Sequence, residues 1–150
     1  TNAGYRHYEI SNFAKDGYLS AHNKNYWNKT HYLGIGPSAH SFNGVTRQWN
    51  INNNLKYCNA IENNMQYYKL EKLSRKNMIN EYILTTLRTS SGIKEALIST
   101  KMTGSEFQKF NSQMTKFIEL GLIQKNNNSL FCTESGMLIV DSISSDLFLI

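Results

Sequence analysis

The pattern of apolar and polar positions changes character near residue 73. Before this point, short aromatic-rich stretches alternate with turn-forming residues. After it, apolar residues recur every three or four positions, which is the spacing of amphipathic helices. The change predicts two structural units, residues 1–73 and residues 74–150.

The first unit is predicted to contain short strands and one helix. Residues 5–13 are rich in aromatics and alternate loosely, which is typical of a buried strand. Residues 32–36 predict a second short strand that runs into a glycine-containing loop, and Asn43-Gly44 favours a hairpin. A helix is expected over residues 53–63. Its inward side chains are expected to be Leu55, Ile61 and either Tyr57 or Cys58.

The second unit is predicted to be mainly helical. Ser74 is a candidate cap for a first helix, a short helix follows near residues 94–99, and Thr103-Gly104-Ser105-Glu106 fits a capping box that opens a third. Two short strands with a turn at residues 126–128 precede a closing helix that Thr133 caps. This order is typical of a winged-helix-like module. The apolar residues expected inside the closing helix are Met137, Val140, Ile143 and Leu147.

The net charge of +5 at pH 7 raises the question of nucleic-acid binding. Up to residue 73 there are eight Lys and Arg against four Asp and Glu; from residue 74 there are eight against seven. The unit that is expected to look like a DNA-binding fold is therefore nearly balanced. A domain that neutralises phosphates concentrates its cations, so we expect no nucleic-acid partner.

Cys58 and Cys132 are the only cysteines, and neither belongs to a CxxC or Cys/His cluster. The sequence contains no apolar run of the roughly 18 residues that a membrane span needs. These features predict a cytoplasmic protein without a disulfide. The sequence begins with Thr1 rather than an initiator Met, which suggests that it belongs to a larger protein.

Three motifs follow one another closely between residues 8 and 41. They are Tyr-Glu-Ile-Ser-Asn-Phe-Ala at residues 8–14, His-Asn-Lys-Asn-Tyr-Trp (HNxxYW) at residues 22–27, and Tyr-Leu-Gly-Ile-Gly-Pro-Ser-Ala-His-Ser at residues 32–41. In this order and spacing the motifs resemble those of HemW-like radical SAM proteins, relatives of oxygen-independent coproporphyrinogen III oxidase. The helical second unit is similar to the family's C-terminal domain.

The resemblance implies an α+β fold: the closing strands of a partial radical SAM (β/α) barrel, followed by a small winged-helix-like domain. It also implies that the intact protein holds a [4Fe-4S] cluster and S-adenosylmethionine through an upstream CxxxCxxC triplet. That triplet is absent from this sequence. We therefore expect this chain to be inactive by itself and to need the upstream barrel of the same polypeptide.

The resemblance also implies site residues. HNxxYW is associated with haem in this family, so His22 is the expected ligand of haem iron, with Tyr26 and Trp27 packing on the porphyrin. By the same resemblance, Gly34, Gly36 and Ala39 approach the adenosine part of S-adenosylmethionine. No catalytic residue is assigned. The residues alone leave alternatives open: a hydrogen-bonded structural loop for HNxxYW, and a tight turn without a ligand for the segment that contains Gly34, Gly36 and Ala39.

Glu9 has two interpretations from sequence. A carboxylate near the C-terminal end of a barrel strand would face the active site. Pairing with Arg6 or Lys15 would instead give it a structural role.

Two functions are carried forward. The first is a radical SAM haem chaperone whose ligand is haem or a porphyrin and whose further partner is a haem-acceptor protein; whether the parent is an enzyme of the oxidase type is left open. The second is a winged-helix module that binds nucleic acid or a protein, with Lys109 and Lys116 as phosphate contacts. The charge balance argues against the second.

Overall fold

The computed structural model describes residues 3–27 and 30–150, except for the side chains of Lys24 and Tyr26. Over these ranges the chain is a mixture of helices and strands. The strands are β1 (Arg6–Glu9), β2 (Asn12–Ala14), β3 (His40–Phe42), β4 (Thr46–Asn50), β5 (Tyr68–Lys72), β6 (Ile93–Lys94), β7 (Ile123–Asn126) and β8 (Ser129–Cys132). The helices are α1 (Ala21–Trp27), α2 (Asn54–Glu62), α3 (Arg75–Leu87), α4 (Glu95–Lys101), α5 (Gly104–Glu119), α6 (Glu134–Met137) and α7 (Val140–Asp146).

The contacts divide the chain into two compact units that do not follow chain order. One unit comprises Thr1–Trp27 and Arg75–Ile150, and the other comprises Asn28–Ser74. We call them the helical unit and the sheet unit. Residues 3–27 group with the C-terminal half, and the domain boundary predicted at residue 73 stays a prediction.

The core of the helical unit is made by apolar side chains that α3, α4, α5 and α7 direct at the antiparallel sheet β6-β8-β7. Ile83 and Leu87 of α3 and Ile93 of β6 are fully buried. Removal of this apolar surface from water is the main stabilising term. No helix in the described ranges has the length and apolarity needed to cross a membrane.

The predicted capping box of α5 is confirmed. Thr103 Oγ1 accepts a hydrogen bond from the Glu106 backbone N–H at 3.3 Å, and the Glu106 carboxylate accepts one from the Thr103 N–H at 2.8 Å. Arg75 at the start of α3 donates to the same carboxylate, 2.6 Å from Oε1 and 3.0 Å from Oε2. Glu106 therefore joins the N-termini of two helices.

These contacts predict an acid-sensitive link. The Arg75 guanidinium, and then the Thr103 N–H, hold the pKa of Glu106 down to about 2. Because the folded-state pKa is depressed, the stabilisation is present above the unfolded value near 4.5 and is lost as the pH falls towards 2. We expect Glu106→Gln to lower the thermal midpoint at pH 6, and the difference from wild type to shrink between pH 4.5 and 2.

Glu119→Gln, at the other end of α5, is the matched control because that carboxylate lacks the Arg75 and Thr103 contacts. Thermal unfolding followed by circular dichroism across the pH range makes the comparison. An equal Glu106→Gln deficit at pH 6 and pH 2 would contradict the link.

The closing helix differs from the prediction. It is broken into α6 and α7 at Leu138 and Ile139, which have 87% and 46% of their surfaces exposed. Thr133 caps α6 as predicted, since its hydroxyl accepts a hydrogen bond from the Gly136 N–H at 3.1 Å. The break lets Val140 and Ile143 reach the core while Leu138 stays outside.

The single strand predicted over residues 5–13 is wrong. The structure has an antiparallel hairpin instead, β1-β2, with a register shift next to Glu9. The Glu9 side chain is 1% exposed and accepts hydrogen bonds from the Ser11 hydroxyl, 3.3 Å from each oxygen, and from the Asn12 amide. This local network closes the turn and ends β1.

The hairpin is attached to the end of α3. Ile10 N donates to Arg88 O at 2.9 Å, and Ser90 N donates to Tyr8 O at 3.1 Å. Ile10 also packs against the core of the helical unit. The Tyr8–Ala14 motif therefore has a structural role in this chain.

The sheet unit is built on the antiparallel sheet β3-β4-β5. The hairpin predicted at Asn43-Gly44 is confirmed and joins β3 to β4. Residues 32–36 do not form the predicted strand; Tyr32 makes only an isolated bridge to Phe42. β5, which was not predicted, pairs along its whole length with β4.

Helix α2 has the predicted position, with Asn53 Oδ1 accepting from Lys56 N at 2.9 Å as its cap. Its predicted inward face is wrong for Leu55, Ile61 and Cys58: Leu55 and Ile61 are 84% and 44% exposed, and Cys58 is exposed. Tyr57, the predicted alternative to Cys58, is half-buried, and Ala60 is buried. Ala60 is small enough for the helix to pack closely at this face. The larger apolar residues lie elsewhere on α2, and for this reason the apolar pattern predicted the wrong face.

Candidate functional site

The HNxxYW segment forms α1, a helix that was not predicted from the sequence. The Ser20 hydroxyl accepts a hydrogen bond from Asn23 N at 3.2 Å and so starts the helix. His22 is exposed and Trp27 is half-buried. Five residues of helix separate them by about 140° around the axis, so α1 presents these two side chains in different directions. The Tyr26 side chain lies outside the described part of the chain.

The glycine-containing segment is a compact loop rather than a strand end. Ala39 N donates to Gly36 O at 3.3 Å, and Gly34 N donates to the Ser41 hydroxyl at 3.0 Å. The structure thus brings Gly34, Gly36 and Ala39 together in one loop. This loop lies in the sheet unit, whereas His22 and Trp27 lie in the helical unit.

Asn50 fixes the loop from the end of β4. Its side chain, 3% exposed, donates through Nδ2 to Gly36 O at 2.9 Å, and its backbone N–H donates to Ala39 O at 2.9 Å. The Tyr57 hydroxyl accepts from Gly36 N at 3.3 Å. Sequence reasoning missed Asn50, Ser41 and Tyr57 because nothing local distinguishes them from other polar residues.

The two glycines are needed for different reasons. A Cβ on Gly34 would lie 2.1 Å from His40 O, a distance that real contacts do not reach. Gly36 has a φ of +101°, and no atom lies within 4 Å of the place where its Cβ would be. Gly34 is therefore explained by the fold, whereas Gly36 leaves open space beside the backbone.

Two cavities border the sheet β3-β4-β5. One of about 450 Å³ is lined by His31, Leu33, Gln48 and their neighbours. The other, of about 430 Å³, is lined by Ser38, His40, Trp49 and Lys69 among others. The second is the only one of these two with a lysine in its wall. Trp49 and Lys69 were not among the predicted site residues, since only strand pairing brings them together.

The cysteines do not fit an iron-sulfur cluster. Both are free, Cys58 exposed and Cys132 buried. Burial raises the pKa of the Cys132 thiol to about 11, so the thiolate that a cluster requires is disfavoured. Within the described residues no group of three or more His, Cys, Asp and Glu side chains is arranged to hold a metal ion.

Several charged side chains of the helical unit are paired within it. Besides Arg75–Glu106, ion pairs link Arg88 to Asp141 at 2.5 Å and Lys125 to Glu95 at 2.6 Å. Lys116 donates to Gln113 Oε1 at 3.2 Å, and Lys109 borders a cavity shared with Glu106 and Asp146. This arrangement does not favour a phosphate-binding surface.

Comparisons with known proteins agree with the resemblance. Residues 73–139 match the family described as HemN C-terminal domain. Heme chaperone HemW of Bacillus subtilis is 31% identical over 141 residues, which are 93% of this chain and 37% of that protein. Radical S-adenosyl methionine domain-containing protein 1, mitochondrial, of Mus musculus is 30% identical, over 95% of this chain and 35% of that protein. The chain therefore spans just over a third of these relatives.

A solved structure supports the fold. Coproporphyrinogen III oxidase (HemN) from Escherichia coli, described as a radical SAM enzyme, superposes with a TM-score of 0.76 at 16% identity. The match covers 98% of this chain and 38% of the oxidase. At this identity the likeness concerns the mixed α and β architecture alone.

Proposed function

Because the chain belongs to the HemW-like family of radical SAM proteins, we propose that it serves in a haem chaperone and contributes the haem-contacting helix α1. Haem is the cargo of this function and a haem-acceptor protein its second partner. The intact protein then supplies the [4Fe-4S] cluster and the main S-adenosylmethionine site from its upstream barrel. The cysteines of this chain take no part in the cluster.

The observation that carries this proposal is the position of His22. Its imidazole is exposed on a helix that Ser20 caps, so an iron-bearing ligand can approach it without rearrangement of the core. A neutral imidazole is a good axial donor to haem iron. We assign His22 as the iron ligand. Of the two aromatic residues expected to pack on the porphyrin, Tyr26 is kept as a proposal, whereas Trp27, about 140° around α1 from His22, is not assigned to the same haem.

The loop of the sheet unit suits the adenosine part of S-adenosylmethionine. Of Gly34, Gly36 and Ala39, Gly36 has the open space into which a ligand can come close to the backbone. Asn50 and Tyr57 hold that backbone in place through hydrogen bonds to Gly36 O and Gly36 N. In this proposal Gly34 and Ala39 shape the loop, and Gly36 faces the ligand. The sheet unit then belongs to the closing part of the (β/α) barrel, and α3–α7 with β6–β8 form the winged-helix-like domain.

Haem titration of the whole chain tests the role of His22. We expect haem to bind with a shifted Soret band, and His22→Ala to weaken the affinity on the order of 10-fold or more because the axial bond is lost. His31→Ala is the matched control, since His31 is also exposed but lies outside α1.

An unchanged affinity and Soret spectrum in His22→Ala would remove His22 from the ligand role. Equal losses in the His22 and His31 variants would indicate non-specific binding of haem to surface imidazoles.

A further inference from the structure

An aromatic side chain flanked by two nitrogen-bearing side chains lies on one face of the sheet β3-β4-β5. In the strand register Trp49 is directly opposite His40 of β3 and directly opposite Lys69 of β5. Residues that pair across antiparallel strands point to the same face, with about 5 Å between neighbouring strands. The three side chains therefore form a row across the sheet, which we call the His40–Trp49–Lys69 row.

The row borders the cavity of about 430 Å³ in the sheet unit. This volume lies within the range of small-molecule sites, about 300–1,000 Å³. Trp49 is half-buried and lines the cavity, whereas His40 and Lys69 are exposed. An apolar ring with polar groups at its sides is the usual composition of a ligand site.

The electrostatics of the cavity favour an anion. None of the described residues that line it is acidic. The Lys69 ammonium makes no hydrogen bond or ion pair with a described residue, although it must be hydrated or paired at neutral pH. Glu71, on the same face of β5, is paired in register with Arg47 and lies outside the cavity lining. A ligand acid group can therefore reach Lys69 without meeting a carboxylate.

We propose that the His40–Trp49–Lys69 row binds a planar aromatic ligand that carries carboxylates, with the ring against the Trp49 indole, one acid group on Lys69 and another on His40. Given the proposed function, on which this step rests, the ligand is a tetrapyrrole and the acid groups are propionates. The row contacts only the ring and the acid groups of this ligand and requires no iron. Its residues do not include His22, which the proposed function assigns to the metal.

Titration with metal-free protoporphyrin IX tests the row, because this probe has propionates but no iron. We expect Lys69→Ala and Trp49→Leu each to weaken its binding by about 10-fold. Lys69→Arg should restore most of the affinity, since it keeps the charge. Lys72→Ala is the matched control: Lys72 is opposite Thr46 and, three positions from Lys69, points to the other face of β5.

The dimethyl ester of the same porphyrin separates charge from stacking, and we expect it to bind about 10-fold more weakly than the free acid. Far-ultraviolet circular dichroism of each variant verifies folding. Equal effects of Lys69→Ala and Lys72→Ala, equal affinities for acid and ester, or no binding of the metal-free porphyrin would overturn the proposal. If the wild-type chain does not bind haem, the proposed function is overturned instead. If it binds haem but not the metal-free porphyrin, only the proposal for the row is overturned.

Discussion

Gly136→Ala is expected to lower the free energy of unfolding of the helical unit by about 3 kcal/mol. A Cβ at this position would lie 2.0 Å from Leu122 O and 2.9 Å from Leu122 C. The carbonyl cannot move aside easily, because it accepts hydrogen bonds from Thr133 N at 3.0 Å and from the Thr133 hydroxyl at 3.2 Å. The strain therefore acts on the junction that seats α6 against the start of β7.

Urea unfolding followed by circular dichroism at 222 nm measures this effect. Gly104→Ala is the matched control, because Gly104 is helical and no atom lies within 4 Å of the position that its Cβ would take. Alanine forms helices better than glycine, so we expect the control to be neutral or to stabilise by up to about 1 kcal/mol. Similar midpoints for the two variants would contradict the close packing of Gly136 on Leu122.

The parts of the fold that the sequence predicted are those that local chemistry decides. The capping box at Thr103 needs only residues three apart, and the Asn43-Gly44 hairpin needs only a turn. Asn127 and Asn128 adopt the left-handed conformation that the β7-β8 turn requires. Each of these features is complete within a few residues, so it can be recognised without knowledge of the rest of the chain.

The features that sequence missed depend on distant partners. The strand β5 alternates apolar and polar residues only over Tyr68–Glu71, which is too short a stretch to be distinctive in the sequence; it forms because β4 offers a full edge for pairing. The hairpin β1-β2 is held in place by Arg88 and Ser90, far along the chain. Non-local pairing leaves little trace in the apolar pattern of either partner, and this also explains why Trp49 and Lys69 were not predicted to share a site.

In the candidate site, too, local features were predicted from the sequence and contacts with distant residues were not. The motif with Gly34, Gly36 and Ala39 indicated a place of close backbone packing, because small residues lie in a short span, but residues 32–36 were predicted as a strand and form a loop. The motif did not identify what packs there. Asn50 and Ser41 supply the hydrogen bonds, and the backbone of His40 occupies the space beside Gly34.

Gly34→Ala is expected to destabilise this loop by about 3 kcal/mol, with or without a ligand. The added methyl would lie 2.1 Å from His40 O and 2.8 Å from both His40 C and His40 N. To relieve this overlap, the loop must give up the bond from Gly34 N to the Ser41 hydroxyl. Amide hydrogen exchange measures the result: the Ala39 and Asn50 amides, which are bonded within the loop, should lose protection.

Ile35→Ala is the matched control within the same loop. Its side chain is 85% exposed, so its removal should change stability by less than about 0.5 kcal/mol and leave the Ala39 and Asn50 amides protected. If the Ala39 and Asn50 amides of Gly34→Ala exchanged at the wild-type rate, the close approach of the His40 backbone would not explain the glycine at this position. Gly34 would then join Gly36 among the residues that the proposed function places against a ligand.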